Sequence, residues 1–414
     1  MRLPTPSTSR FHYGWVIVGN GTLIIVACLG FGRFALGMLL PAMGDSLSLD
    51  YAQMGYISTG NFVGYLAAVL VSGLMASRLG EKRLIVAGLA LVACSMAAVS
   101  QARGFWDVLL FYVFTGFGAG TANIPIMALV AHWFGRALRG RAAGFIVSGS
   151  GLAIVFSGWV IPLINGRMGP DGWRWCWLLL GALVSVIAVV SLLLIRNRPA
   201  EMGLHPLGVS AQQHAAHHRD VRHPHAGRIL TRLGLVYFAF GFTYVIYATF
   251  IVTTLVQERG FSEAVAGRFW MWVGLVSIFS GPLFGTLSDR LGRKPALMMV
   301  FLLHTLAYLI IALRLPDAFA YLSIFLWGIG VWSIPSIMAA AVGDYLGADR
   351  AAAAFGTVTL FFGVGQITGP GLAGLLADYS GSFGWSFAMA AGMTMLGVIM
   401  SSGLRRPEPA AQQR

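Results

Sequence analysis

Gly73-Leu-Met-Ala-Ser77-Arg78-Leu-Gly80-Glu-Lys82-Arg83 recurs as Gly285-Thr-Leu-Ser-Asp289-Arg290-Leu-Gly292-Arg293-Lys294, an offset of 212 residues. A second pair, Gly118-Ala-Gly120-Thr-Ala-Asn123-Ile-Pro125-Ile-Met127 and Gly328-Ile-Gly330-Val-Trp332-Ser333-Ile-Pro335-Ser-Ile-Met338, repeats at an offset of 210. Two matches at nearly one offset mark an internal duplication. The chain around them is 57% hydrophobic and 10% charged, with mean hydropathy +0.75. A soluble domain cannot hide that much apolar surface, so the composition points to a polytopic membrane protein. Runs able to cross about 30 Å of hydrocarbon occur twelve times, near 14–42, 52–76, 84–101, 105–132, 142–165, 173–195, 229–256, 265–287, 295–314, 317–343, 351–378 and 383–404. Each copy holds six, an even number, so both copies run the same way through the membrane about an axis along its normal. The expected fold is all-α, with 12 transmembrane helices in two pseudo-symmetric six-helix bundles. The expected domains are 1–195 and 229–414, with a linker at 196–228.

Charge sets the expected orientation. The net charge is +13, but by this topology 21 of the 28 Lys and Arg fall on one side, 6 on the other, and Arg33 within, while the acids split 7 against 8. That asymmetry is the positive-inside bias rather than a nucleic-acid signal, and it places both termini in the cytoplasm. Arg2 and Arg10 precede a first apolar run without a small-residue cleavage site, as in an uncleaved first helix. The expected location is the bacterial cytoplasmic (inner) membrane, as a multi-pass monomer. Cys28, Cys94 and Cys176 lie in apolar runs without pairing or metal spacing and read as small packing residues. The linker holds His214, His217, His218, His223 and His225 among Arg and Pro; its composition reads as a tether rather than a metal site. No metal or other cofactor is expected, and no Gly-Lys-Ser/Thr loop is present to engage ATP.

With these residues in hand, the chain resembles the major facilitator superfamily. Gly285 to Lys294 matches that superfamily's GxxxDRxGRK loop between helices 8 and 9, and the resemblance covers essentially the whole chain. It implies a conformational latch, here Gly73, Arg78, Gly285, Asp289, Arg290, Gly292 and Arg293. Glycines allow close helix approach, and Asp289 can accept from a helix N-terminus or pair with an arginine. Ser77 stands where the first loop usually has an acid, so the N-terminal latch should be the weaker one.

Two branches compete. Tyr13-Gly14-Trp15-Val16, Trp133-Phe134 and Ser148-Gly149-Ser150-Gly151 are similar to the monocarboxylate and oxalate/formate porters. Gly30-Phe31-Gly32-Arg33-Phe34 and Leu39-Leu40-Pro41-Ala42-Met43 look more like a bacterial permease branch with an arginine in helix 1. The anion-binding arginine that monocarboxylate porters carry before a Pro-x-x-Gly is Gly281 here. The oxalate porters' lysine in helix 11 is also missing, and Gln366 is the strongly polar residue at mid-helix.

In this fold helices 1, 4, 7 and 10 line the central path, with substrate near mid-membrane. The candidate substrate residues are therefore Arg33, Asn123, Tyr244, Tyr247, Trp332 and Ser333. Arg33 has no acid nearer in sequence than Asp45. A guanidinium at that depth costs several kcal/mol even on lenient scales, so it must face protein or water. Its forked donors suit a carboxylate, and tyrosine hydroxyls on large apolar bodies suit orientation of a small molecule. Pro125 and Pro335 are expected to kink helices 4 and 10.

No Asp or Glu lies in mid-span; Tyr112 replaces the arginine that starts helix 4 in many proton-coupled exchangers; and His304, the one embedded histidine, is on a peripheral helix. A co-transported proton is therefore expected to ride on the cargo, if one moves at all. The expected function is alternating-access transport of a small, monocarboxylate-like organic anion. The alternative is efflux of hydrophobic drug-like compounds, which the helix 11 run Gly365-Gln-Ile-Thr-Gly369-Pro370-Gly371 resembles. A lesser alternative is a non-transporting membrane sensor. No nucleophile–base arrangement suggests an enzyme.

Overall fold

The computed structural model describes residues 12–208, 226–346 and 351–404. The described residues are helical and contain no strand, save one isolated bridge between Phe134 and Leu207. Eleven stretches are long and apolar enough to cross a membrane. The longest, Leu138–Leu194, contains two helices that turn back on each other at Gly169–Asp171, so the passes number twelve. In chain order these are α1 (Gly14–Leu47), α2 (Tyr51–Leu79), α3 (Glu81–Val99), α4 (Phe105–Trp133), α5 (Gly149–Met168) and α6 (Gly172–Leu194). The second half has α7 (Ala226–Thr253), α8 (Glu263–Leu291), α9 (Arg293–Ala312), α10 (Ala318–Leu346), α11 (Ala351–Ser380) and α12 (Gly384–Ser402). A short helix, Arg136–Val147, leads into α5.

Local chemistry sets the helix ends. Asp50 and Gln53 form a capping box at the start of α2, and Val265 N–H donates to the Ser262 hydroxyl at the start of α8, meeting amides that a helix start leaves unpaired. The duplicated loops turn at the same place. Gly80 and Gly292 have φ of +81° and +96°, where a Cβ is strained, and each serves both as the last cap of one helix and the first of the next. The passes expose apolar residues outward, among them Val186, Val189 and Leu193 on α6 and Trp272 and Phe279 on α8, a surface suited to hydrocarbon. Cys28 and Cys176 are buried; Cys94 is on the outer surface.

The segment after α6 is partly docked. Residues 196–208 lie against the N-terminal half: Leu207 N–H donates to Trp133 C=O at 2.9 Å, Gly135 N–H donates to Leu207 C=O at 2.8 Å, and the Trp133 indole donates to Arg196 C=O at 2.9 Å. The histidines at 214, 217, 218, 223 and 225 lie outside the described residues.

The two halves meet through α1 with α7, α2 with α11 and α5 with α8. The face that carries Arg78, Lys82, Arg83, Arg290, Arg293 and Lys294 is here the basic face. The hydrogen bonds between halves among the described residues are Arg33–Tyr244, Ser58–Thr249, Thr59–Ile367, Asn165–Glu263 and Gln257–Asp45. They run from the level of Arg33 to the opposite face. Among the described residues, none joins the halves nearer the basic face, and no ion pair crosses between them. Closure at the opposite face depends on backbone reaching backbone. A Cβ on Gly37 would strike Ala248 C=O, and one on Gly55 would strike Pro370 C=O and Gly374 Cα.

Gly55→Val should hold the halves apart at that face, since overpacking costs about 1–3 kcal/mol. With spin labels on Ser46→Cys and Ala264→Cys, which flank one cavity between the halves, in a background without Cys94, a longer distance population is expected. An unchanged distribution would remove the glycine contact from the closing mechanism.

Candidate functional site

The central site begins with a change of helix type. Within α1, Val26–Phe34 winds as a π-helix before the α-helix resumes at Ala35. π-turns are uncommon and gather at functional sites. Two glycines, Gly30 and Gly32, lie within it, and a Cβ on Gly30 would fall on the Ala153 side chain of α5. Neighbouring side chains hold the segment's last carbonyls: Asn61 donates to Gly32 C=O at 3.1 Å and to Tyr112 C=O at 3.3 Å, and Tyr112 OH donates to Arg33 C=O at 3.2 Å. The backbone that presents Arg33 is therefore fixed by α2 and α4 together.

The Arg33 guanidinium lies between two rings of α2, 4.5 Å from the centroid of Phe62 and 4.5 Å from that of Tyr65. Its Nη1 makes a long 3.5 Å contact to Tyr244 OH across the halves. Nε and Nη2 are buried without a hydrogen-bond partner among the described residues, and no carboxylate is within ion-pair range. Two cation–π contacts supply about 1–4 kcal/mol together, and a 3.5 Å hydrogen bond adds little. Burying the charge costs several kcal/mol, so protein contacts offset only part of it.

Around this charge the rest of the site is aromatic. Tyr244 OH also accepts from the Gln366 amide. The Tyr244 ring stacks on Phe240 (5.0 Å, 17°) and Phe362 (5.8 Å, 8°), and Trp332 stands edge-on to Tyr244 (6.4 Å) and Phe34 (5.4 Å). Asn123 donates to Tyr65 OH at 2.7 Å. Toward the opposite face, Ser58 and Thr249 (3.0 Å apart) help to close a cavity of about 10 Å³ beside Arg33, room for about one water.

The structure thus brings together Arg33, Asn123, Tyr244 and Trp332. It places the other two sequence candidates elsewhere. Tyr247 is fully buried in the C-terminal half, stacked on Trp327 at 4.6 Å and bonded to Ser323 at 2.8 Å. Ser333 is also fully buried and ties α10 to α8 through Ser280 at 2.8 Å. Tyr247 is only about 60° around α7 from Tyr244, three residues at about 100° each, so the two share a broad face. Partners in its own half, Ser323 and Trp327, hold Tyr247 in the packing. Phe62, Tyr65 and Asn61 were not singled out in sequence; a polar Asn61 four residues before an aromatic pair member in an apolar helix was the available signal. His304 is buried within the C-terminal half beside Trp327 and Tyr308.

The two prolines behave differently. α4 runs unbroken through Pro125, whereas α10 breaks at Val331–Trp332 between Ala318–Gly330 and Ser333–Leu346. Pro335 cannot donate to Val331 C=O, which accounts for the break; nothing in the structure explains why Pro125 spares α4. At the basic face Arg293 is a hub, 2.6 Å from each of Asp289, Asp344 and the Ser288 hydroxyl. This cluster joins the ends of α8, α9 and α10 within one half and does not span to the other. Gly285 has no atom near where a side chain would stand, and Arg78 and Arg290 are exposed; the side-chain positions of Gly73 and Ser77 lie outside the described residues.

A family model described as "Uncharacterised MFS-type transporter YbfB" matches residues 25–402. The chain belongs to the major facilitator superfamily. This facilitator is 26% identical over 424 residues to the 3-(3-hydroxy-phenyl)propionate transporter of Escherichia coli (strain K12), covering 99% of each chain. It is 23% identical over 389 residues to the hexuronate transporter of Bacillus subtilis (strain 168), covering 91% of each. Among solved structures, a bacterial homologue of the human lysosomal transporter Spinster superposes with TM-score 0.75 at 15% identity, covering 94% of this chain and 95% of that one, a likeness of fold.

Arg293→Gln should cost the facilitator roughly 1–2 kcal/mol, because charge-assisted bonds are lost while both acids remain largely solvated. Arg290→Gln, with an exposed side chain, should stay within about 0.5 kcal/mol of the parent. Parallel unfolding curves in detergent check the pair; equal effects would show that Arg293 is not the hub.

Proposed function

We propose that this facilitator moves a small organic anion, monocarboxylate-like, across the bacterial cytoplasmic membrane by alternating access, with Arg33 as the anion-binding group. The observation that carries this is the Arg33 guanidinium, buried between the halves with Nε and Nη2 lacking a hydrogen-bond partner among the described residues. A carboxylate can accept from two adjacent guanidinium N–H groups at once, and it supplies the counter-charge that the rings only partly replace. Among the described residues the halves are hydrogen-bonded to one another on one side of Arg33 and not on the other, which suits a rocking mechanism about a central site. The positive-inside bias makes the basic face cytoplasmic. On this reading Tyr244 and Gln366 position the cargo from the second half, and the transporter works as a monomer. Any coupled proton travels on the cargo's own carboxyl group. The relatives named above support an acid cargo, since hexuronate and 3-(3-hydroxy-phenyl)propionate are both carboxylates.

Efflux of uncharged hydrophobic compounds is the competing reading, favoured by the aromatic lining. The two separate at Arg33. Purified protein is heated with a panel of small carboxylates, and the screen is repeated with Arg33→Gln. A ligand bound only by the native state at about 100 times Kd adds about 2.7 kcal/mol of stability, seen as a raised melting temperature that the variant should lose. If no carboxylate stabilises the protein, or the variant responds equally, the anion reading fails.

A further inference from the structure

Resting on Arg33 as the anion site, we infer that the cargo is a monoanionic aromatic acid bearing a hydroxyl on its ring. Its carboxylate would sit on Arg33, its ring against the aromatic wall and its hydroxyl at Asn123. Three features of the site lead to this class.

The first is the count of charge. Of the 28 Lys and Arg, Arg33 is the one placed within the membrane by the topology. One carboxylate is matched by one guanidinium. A second carboxylate would be buried without a cation, which costs far more than a second contact returns. Dianions are therefore disfavoured.

The second is the wall. Phe62 and Tyr65 face the Arg33 guanidinium, Tyr244 reaches it, and Phe362, Trp332 and Phe34 extend the ring wall beyond Tyr244. Ser58, Asn61 and Thr249 line only the one-water space on the other side of Arg33. Tyr244 OH, the polar atom of the C-terminal wall nearest Arg33, is already engaged by Gln366 and Arg33. A sugar acid would bring several hydroxyls against such surfaces and leave them unbonded, each at a desolvation cost. A planar ring meets offset and edge-on partners favourably.

The third is the set of polar atoms left over. Asn123 uses one end of its amide on Tyr65 OH, and the other end, Oδ1, is buried without a partner among the described residues. Trp332 Nε1 is likewise buried and unpartnered. A phenolic hydroxyl both donates and accepts, so it can meet either end of that amide. The indole N–H adds a neutral donor for the carboxylate without adding charge. Asn123 is one tyrosine away from Arg33, because Tyr65 touches both. The free acceptor and the cation are thus bridged by one ring, that of Tyr65.

Calorimetric titration of the full-length protein in detergent tests this with four acids: 3-phenylpropionate, 3-cyclohexylpropionate, a ring-hydroxylated 3-phenylpropionate, and tartrate. The phenyl acid should bind about 3- to 10-fold tighter than the cyclohexyl acid. The ring hydroxyl should add roughly fivefold or more, and Asn123→Ala, or Asn123→Ser if the first does not fold, should abolish that ratio. Tartrate should bind weakest. Equal binding of the two unsubstituted acids, a hydroxyl advantage that survives both Asn123 variants, or preference for tartrate would overturn the inference. If those affinities still fall with Arg33→Gln, the Arg33 reading stands without it. If they do not, both fall together.

Discussion

A guanidinium in a low-dielectric interior organises the centre of this protein. Charge burial is costly enough that the surroundings must be arranged for it, and the arrangement is visible in three helices. α1 changes its winding to present Arg33, α2 places two rings on it, and α4 supports its carbonyl through Tyr112. All of that machinery belongs to one half. The second half offers a hydroxyl and a stack of rings. The site therefore takes its charge from one half and its rings from both, although the two halves share a duplicated sequence.

Closure at the opposite face follows a different principle. There the halves approach through small residues and a few neutral or singly charged hydrogen bonds, such as Ser58–Thr249 and Gln257–Asp45. The neutral bonds are worth about 1 kcal/mol net each, and those to a carboxylate about 1.5–3 kcal/mol. An interface of this kind can be made and broken without a large penalty, as a structure that alternates must do. The strong ion-pair cluster, Arg293 with Asp289 and Asp344, stays inside one half and stabilises it as a unit.

Much of the fold was legible in the sequence because its signals are periodic and redundant. Twelve apolar runs, an even split by the 212-residue offset and two matching loop glycines leave few architectures. The turn at Gly80 and Gly292 is explained by the residue type alone, since positive φ favours glycine. The site was legible only in part. Arg33 stood out because charge in hydrocarbon is rare, and Asn123, Tyr244 and Trp332 because they fall on central helices. Tyr247 and Ser333 meet the same criterion, yet local hydrogen bonds to Ser323 and Ser280 hold both in the packing between helices of one half. Sequence spacing assigns a helix more readily than a face. The π-helical segment also shifts phase within α1, which no 3.6-residue count anticipates.

The matched prolines have a consequence for compliance. α4 passes through Pro125 as one helix, while α10 is two rods joined at Val331–Trp332. The half that carries Arg33 keeps its proline-bearing helix continuous, and the facing half has a break beside Trp332. The break lies next to Trp332 of the aromatic wall, on the opposite half from the π-helical backbone that presents Arg33. For the cargo site proposed above, this puts any adjustment to the thickness of a cargo on the side of the broken helix, opposite the backbone that holds Arg33.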